Sequence, residues 1–281
     1  DVHLNAAADW RRGLESLRGL WAGCRTVIFN GDTMSSNLCR DERRRRKVLD
    51  ALEEIGGTDG VRPVLLGGNS DHFLNAPRHR FLANGRILVF HGDALLPNCS
   101  PWRRQARQLG RARQEALKAM HPARRDSLAG RLDASLEALR RSESARGSGL
   151  RLAEAGFFRR LAWLGSVLTH PGRVLAVLSA WGKMPNLAAR FAEAYAPAAK
   201  YVVIGHLHRR GIWHVRGRTI INTGSFEGLG RPFLVRLDRG VLSVRDVVRR
   251  GQGYFPGEVF ACYPAWSGAE RDKSASTRST K

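Results

Sequence analysis

The stretch Tyr201-Val202-Val203-Ile204-Gly205-His206-Leu207-His208 constrains this chain more than any other. An apolar, β-branched run of this kind is what a strand buried on both faces needs. It stops at a glycine, which lets the backbone turn sharply, and then delivers two histidines two positions apart. Residues at that spacing on an extended chain face the same way. His206 and His208 are therefore expected to enter one pocket at a strand's end, where open α/β sheets bind their ligands. Neutral imidazole is a common metal ligand, although an isolated His-x-His is more simply a core or surface pair. This pair has company: Asp1-Val2-His3, Gly31-Asp32, Gly68-Asn69-Ser70-Asp71 and His91-Gly92-Asp93 all lie upstream.

Each cluster sits where local pattern predicts an element's end. Thr26 to Phe29 predicts a short buried strand that delivers Asn30-Gly31-Asp32; a plain turn is the other reading of Gly-Asp. Val61 to Leu66 predicts a second strand, ending in Gly67-Gly68-Asn69-Ser70-Asp71-His72. Arg80 to Leu82 and Ile87 to Phe90 predict a hairpin on Asn84-Gly85, with His91 at its exit. Trp10, Leu14, Leu17 and Trp21 recur at helical spacing and predict one helix from Asp9 to Trp21. Arg40 to Ile55 predicts another, whose run from Arg43 to Lys47 reads as a solvated face rather than a phosphate contact. A further helix is expected over Asn186 to Ala196. Beyond His208, the segments 211–215, 219–222, 233–237 and 241–248 alternate like antiparallel strands.

Taken together, the five clusters resemble the calcineurin-like metallophosphoesterases. That family's pattern runs D-x-H, G-D, G-N-H-D or a variant, a lone His, then G-H-x-H, and all five stand here in that order over 1–208. The cluster His91-Gly92-Asp93 ahead of a basic helical insert looks most like the UDP-2,3-diacylglucosamine diphosphatase branch. The resemblance implies an α/β fold, a four-layer αββα sandwich with a helical insertion. It implies one domain over 1–266, interrupted at about 100–198 and followed by a basic tail, 267–281, that reads as disordered. It also implies two divalent metal ions. The first would take Asp1, His3, Asp32 and His208; the second would take Asp32, Asn69, His91 and His206. A shared Asp32 fits the physics, because one anion offsets the repulsion of two dications. Oxygen and nitrogen ligands without thiolate suit Mn²⁺, the expected metal, with Fe and Zn²⁺ as alternatives.

The implied reaction is hydrolysis of a phosphoanhydride or phosphodiester by a hydroxide bridging the metals. Asp32, Asn69, Asp71 and His72 are the expected catalytic residues. Asp71 matches a carboxylate behind the ligands, and Asp93 is expected to orient an imidazole. Ser70 departs from the pattern: many members carry His there as a general acid, and the diacylglucosamine branch usually carries Arg. A serine hydroxyl is too weak an acid for that part. A phosphoanhydride, whose leaving group wants little help, is therefore favoured, with His72 as the alternative acid. The turn Asn222-Thr223-Gly224-Ser225-Phe226 resembles one that the family places near its metals.

Charge agrees with an anionic partner. The 281 residues carry 47 Lys and Arg against 25 Asp and Glu, a formal net charge of +22, although a GC-rich genome also favours Arg. Residues 101–170 hold 15 basic and 6 acidic side chains, a net of +9, with Leu109, Leu117, Leu128, Leu132 and Leu139 at helical spacing. Phe157, Phe158, Trp163 and Leu164 interleave with Arg159 and Arg160, as in an amphipathic lid or membrane-surface contact, or else a helix pair packing on the domain. The expected partner is a phosphorylated, acylated substrate such as a lipid-linked nucleotide-sugar diphosphate. The expected location is the cytoplasm, with peripheral contact on the inner face of the membrane. A nuclease of the same fold acting on DNA or RNA, and a non-catalytic scaffold, are the rival readings. No uninterrupted apolar run reaches the ~20 residues that span a bilayer. Cys24, Cys39, Cys99 and Cys262 show no C-x-x-C spacing, so free thiols in a reducing compartment are expected. In the resembled family an apolar strand precedes D-x-H, so this sequence reads as truncated at its start, with no inference about a signal peptide. A third reading has Asp1 and His3 displaced for that reason.

Overall fold

The structure is a computed structural model and describes residues 1–5, 9–99, 106–144, 171–227 and 231–266. Its strands β1 (Thr26–Asn30) and β2 (Arg62–Leu66) pair in parallel, from Thr26 opposite Arg62 to Asn30 opposite Leu66. The hairpin β3 (His79–Leu82) and β4 (Ile87–Phe90) turns on Ala83, Asn84 and Gly85, all at positive φ. β5 (Tyr201–Ile204) lies between β4 and β7 (Arg218–Asn222), parallel to both, and β6 (Gly211–Val215) closes that five-stranded sheet antiparallel to β7. A third ladder, antiparallel, joins β8 (Phe233–Asp238), β9 (Val241–Arg250) and β10 (Gly253–Pro264).

Three apolar cores separate four layers. Strand residues point alternately to the two faces of a sheet, so Leu88 and Phe90 belong to one core while Ile87 and Val89 belong to another. The middle core packs Ile87, Val89, Tyr201, Val203 and Ile221 against Leu66, Phe233, Leu242 and Val244, sheet on sheet. On the outer face of the five-stranded sheet, Leu88, Phe90, Val202, Ile204 and Ile220 meet helices. On the other side, Phe29, Val27, Leu234 and Val247 meet Leu14, Leu17, Val48, Leu52 and Ile55. The architecture is thus the four-layer α/β sandwich that the motif resemblance implies. β1 and β8 do not pair with each other. Between them runs an apolar cavity of about 180 Å³ with Asp1 among its lining residues.

The helices depart from the sequence expectations in three places. The single helix expected from Asp9 to Trp21 is two, α1 (Trp10–Glu15) and α2 (Arg18–Trp21). The break falls at Ser16, whose carbonyl accepts the Tyr254 N–H of β10 at 2.7 Å. The helix expected over Arg40 to Ile55 is also two, α3 (Ser36–Arg40) and α4 (Glu42–Asp59). Asp41 between them is extended, and its Oδ1 accepts the Arg44 N–H at 3.0 Å, so a local cap outcompetes helix continuation. Arg43, Arg44, Arg46 and Lys47 are exposed, as a solvated face requires.

Between β4 and β5 lie a short 3₁₀ turn (Asp93–Leu95) and the helices α5 (Ala106–Ala119), α6 (Pro122–Arg125), α7 (Leu128–Ser144) and α8 (Pro171–Tyr195). The helix expected over Asn186 to Ala196 is the second half of α8, which passes through Pro185. A proline inside a helix removes a donor and crowds the preceding turn. Here burial of Ala180, Met184, Ala188, Ala189 and Ala192 on the sheet keeps the helix whole. Leu175 and Leu178 are exposed on the first half of α8. Phe157, Phe158, Trp163, Leu164 and the tail 267–281 lie outside the described residues. Among the described residues no helix is long and apolar enough to cross a membrane, and all four cysteines are free.

Candidate metal centre

β1, β2, β4 and β5 end on the same side of the two sheets, and each hands its next residues to one focus. β1 leads to Gly31-Asp32, β2 to Gly67-Gly68-Asn69, β4 to His91, and β5 to Gly205-His206-Leu207-His208. The segment Asp1 to Leu4 runs alongside, with the Val2 and His3 N–H groups on the Asp32 carbonyl at 3.0 and 2.9 Å. The turn after β7 holds it there. Ser225 Oγ donates to the Asp1 carbonyl at 3.2 Å, as does the Phe226 N–H at 3.1 Å, while Asn222 Nδ2 donates to the Gly205 carbonyl at 2.9 Å. Asp1 and His3 therefore stand in the cluster and are not displaced from it.

All seven expected ligands converge. His208 Nε2 lies 3.6 Å from Asp1 Oδ1 and 3.2 Å from His3 Nε2. His3 Nε2 lies 3.8 Å from Asp1 Oδ1 and 3.7 Å from Asp32 Oδ2. His91 Nε2 lies 3.5 Å from Asp32 Oδ1, 3.9 Å from Asp1 Oδ1 and 3.1 Å from Asn69 Oδ1. The ring of His206 packs edge-on against His91 at 5.1 Å between centroids. Among the described residues, two groups of His and carboxylate side chains have ligand atoms mutually within 4.8 Å: Asp1 with His3 and His208, and Asp1 with Asp32 and His91. Asp1 belongs to both groups, whereas the resemblance assigns Asp32 as the bridge.

Four of these residues, His3, Asp32, His206 and His208, have left-handed backbone, with φ from 49° to 72°. Glycines make the close approach possible. A Cβ on Gly205 would sit 2.5 Å from Asp1 Oδ2, and one on Gly68 would sit 2.1 Å from Asp32 Oδ1. Gly68→Ala is therefore expected to push the Asp32 carboxylate out of place and to weaken metal binding about 10- to 100-fold, the usual scale for lost support behind a ligand. Calorimetric titration with Mn²⁺ measures this; unchanged affinity would show that Gly68 does not fix Asp32.

These residues fit divalent metal. Asp1 Oδ1 is buried and has no hydrogen-bond partner among the described residues, a costly condition for a carboxylate oxygen that a cation between it and the surrounding imidazoles relieves. The second nitrogens of two histidines are already committed. His91 Nδ1 meets the Asn30 carbonyl at 3.1 Å, and His206 Nε2 meets the Cys99 carbonyl at 2.8 Å. Such outer carbonyl contacts fix the tautomer of a ligating imidazole, leaving Nδ1 of His206 as a lone-pair donor; Nε2 of His91, 3.1 Å from Asn69 Oδ1, offers a lone pair only once its proton has left. Neutral imidazole is the ligating form. Burial first, then the neighbouring His91, pushes His206 down to about 4; burial, then His3, pushes His208 down to about 3. His91 goes the other way: burial opposes its charge, but Asp32 more than compensates and raises it. Burial would likewise raise Asp32, yet His91, His3 and the Ser70 N–H outweigh it and hold that carboxyl well below the usual range.

The remaining expected residues serve the framework. Asp71 is buried, accepts the Thr33 N–H at 2.7 Å and the Gly68 N–H at 2.6 Å, and so ties the Asp32 loop to the Asn69 loop. Burial, and then Asp32, push it up to about 6. His72 is buried with Nδ1 against the Asn69 carbonyl at 2.8 Å, a brace on that loop. Ser70 has a part that the sequence did not announce: its N–H and Oγ donate to Asp32 Oδ1 and Oδ2 at 2.7 and 2.8 Å. Asp93, expected to orient an imidazole, has its Oδ2 on Arg78 Nη2 at 2.7 Å.

Arg78 is the residue that sequence reasoning missed. It is buried, and Nη1 donates to the Gly67 and Gly68 carbonyls at 2.9 and 2.8 Å. It thereby clamps the loop carrying Asn69 to the turn after His91. A lone arginine after Pro77, in a chain rich in arginine, gives no sequence signal of that job.

No protein-family model and no curated protein matches the chain. Several solved structures are similar. A Vps29 variant from Entamoeba histolytica is 13% identical, over 85% of this chain and 83% of that one, with a TM-score of 0.38. A dimetal phosphatase from Danio rerio is 13% identical, over 88% and 87%, with a TM-score of 0.36. A predicted phosphoesterase from Streptococcus pneumoniae is 14% identical, over 87% and 84%, with a TM-score of 0.30. Similarity at this level speaks neither to substrate nor to metal.

Proposed function

We propose that this chain is a dinuclear metal-dependent hydrolase of phosphoric esters or anhydrides. One observation carries the proposal: a buried, unpartnered Asp1 Oδ1 set 3.6 to 3.9 Å from the Nε2 atoms of His208, His3 and His91. Asp1, His3, Asp32 and His208 would hold one ion, and Asp32, Asn69, His91 and His206 the other, with Asp1 placed to contribute to both. Mn²⁺ is our choice for a nitrogen and oxygen set without thiolate. When bound, such ions neutralise phosphate oxygens and acidify water.

The chain's own part is to hold charge and exclude competing groups. Ser70 pins both oxygens of Asp32. Asp71 and Arg78 fix the loops that present Asp32 and Asn69. His208, with 38% of its side chain exposed, and His3, with 11%, mark the side open to substrate. Neither Ser70 nor His72 is set up as a proton donor to a leaving group, since each is engaged with the ligand loops. A phosphoanhydride, whose leaving phosphate wants little protonation, suits such a site better than an alkyl phosphomonoester. Acyl chains on that diphosphate, and contact with the membrane surface, extend the proposal to the substrate's other end; their support is the sequence of residues 157–164.

A substrate panel tests this. With Mn²⁺ present, pyrophosphate-linked substrates, among them an acylated nucleotide-sugar diphosphate, are expected to turn over faster than alkyl phosphomonoesters by about 10²-fold or more, the range of one general-acid contribution. Preferential cleavage of DNA or RNA would replace this proposal with the nuclease reading. No turnover of any member by the metal-loaded protein would favour a scaffold.

A further inference from the structure

The helices between β4 and β5 reach the candidate metal centre at several points: Arg140 Nε of α7 donates to the His72 carbonyl at 3.2 Å and Trp181 Nε1 of α8 to the Leu207 carbonyl at 3.0 Å, and a further thread of hydrogen bonds starts on α5. Arg113 of α5 is half-buried and straddles the loop that follows His91: Nη2 donates to the Ala94 carbonyl at 2.7 Å and Nη1 to the Leu96 carbonyl at 2.8 Å. The Leu96 carbonyl also accepts the Cys99 N–H at 3.1 Å. Cys99 is buried, has left-handed backbone at φ 56°, and packs with Leu109 of α5 and Leu139 of α7. Its carbonyl is the one that meets His206 Nε2 at 2.8 Å. The path therefore runs from a guanidinium on α5, through Leu96 and Cys99, to the imidazole of an expected ligand.

That last contact decides which His206 nitrogen has a lone pair to offer. A carbonyl can only accept, so Nε2 must carry the proton and Nδ1 must be bare. At His91 both nitrogens face acceptors, Nδ1 the Asn30 carbonyl and Nε2 the Asn69 Oδ1, each at 3.1 Å, so Nδ1 carries a proton there and no single tautomer is selected. We propose that Arg113 is a positioning residue: by holding the 94–99 loop, it lets the helical unit α5–α7 select Nδ1 of His206 as a ligand atom. The consequence for metal binding rests on the dinuclear reading above, but the tautomer does not.

The test uses the whole protein with ¹⁵N-labelled histidine, first freed of metal with chelator and then titrated with Zn²⁺. In the metal-free wild type, imidazole NMR is expected to show a protonated Nε2 on His206 and a protonated Nδ1 on His91. Arg113→Gln should put His206 into tautomer exchange while leaving His91 unchanged, and should weaken one of two Zn²⁺ equivalents about 10- to 100-fold, as losing support behind a ligand does. Cys99 supplies a second pair of variants should Arg113→Gln fail to fold. Cys99→Gly keeps the carbonyl and the positive φ and should retain the His206 tautomer; Cys99→Val, whose branched side chain resists that φ, should reproduce the tautomer exchange of Arg113→Gln. A wild-type His206 protonated at Nδ1 overturns the proposal. So does an Arg113→Gln protein, or a Cys99→Val protein in its place, with the wild-type tautomers and both Zn²⁺ affinities. A wild type that shows the expected tautomers but binds no Zn²⁺ supports the tautomer selection and overturns the dinuclear reading instead.

Discussion

Asp32→Ala is expected to lower phosphoester or phosphoanhydride hydrolysis by at least about 10³-fold, about 4 kcal/mol of transition-state stabilisation, and to abolish binding of both metal ions. The reason is position. Asp32 Oδ1 faces His91 at 3.5 Å and Oδ2 faces His3 at 3.7 Å, so one side chain serves both halves of the centre. Asp32→Asn keeps the shape and one oxygen that can still accept from Ser70; it removes the charge and turns the other oxygen into a donor, and should lie near Asp32→Ala if an ionised, two-oxygen carboxylate is what matters. Metal content by elemental analysis, together with steady-state rates, measures the effect. Near-normal turnover by a folded Asp32→Ala protein would end the dinuclear assignment.

The second large effect is on stability. Arg78→Met leaves Asp93 buried, with 1% of its surface exposed, and without its guanidinium; removing one partner of a buried pair costs about 3–5 kcal/mol. Asp93→Leu added to Arg78→Met should recover most of that loss, because the orphaned charge goes too. The pH dependence has a definite sign. Burial would raise the Asp93 carboxyl, but Arg78 and then His91 hold it below its ordinary value. A depressed carboxyl stabilises the fold above the unfolded value, about 3.9, and loses that contribution as pH falls through the folded one. The gap between wild type and Arg78→Met should therefore be full at neutral pH and close in acid. Urea melts at several pH values decide it; a gap under about 1 kcal/mol at neutral pH would mean that Asp93 is not buried as a charge.

The difference between these residues also marks what the sequence discloses. Asp32, Asn69, His91, His206 and His208 were legible because each follows a short apolar run or sits in a glycine-punctuated turn, whereas Asp1 and His3 were legible through the D-x-H pattern and its place ahead of the other clusters. Strand ends are local signals, and the order of the clusters did the rest. The continuous apolar run of β5 likewise announced a strand buried on both faces. Arg78, Asp93 and Ser70 were not legible in their actual roles. Their partners lie 10 to 38 residues away in sequence, and no periodicity encodes such a pairing. The helix breaks at Ser16 and Asp41 failed for a related reason: one is made by a strand more than two hundred residues away and the other by a single capping side chain, each overriding a helical pattern that was present.

The left-handed backbone at His3, Asp32, His206 and His208 has a consequence for anyone improving this protein. Side chains other than glycine sit in that conformation at a penalty of roughly 1–2 kcal/mol each. A selection for thermostability alone, run without metal, would thus reward glycine at all four positions. Its winners would melt later and have lost most of the first ion's expected ligands. Heat resistance and metal retention must be screened together here, because at these four residues the backbone's preference and the centre's needs point in opposite directions.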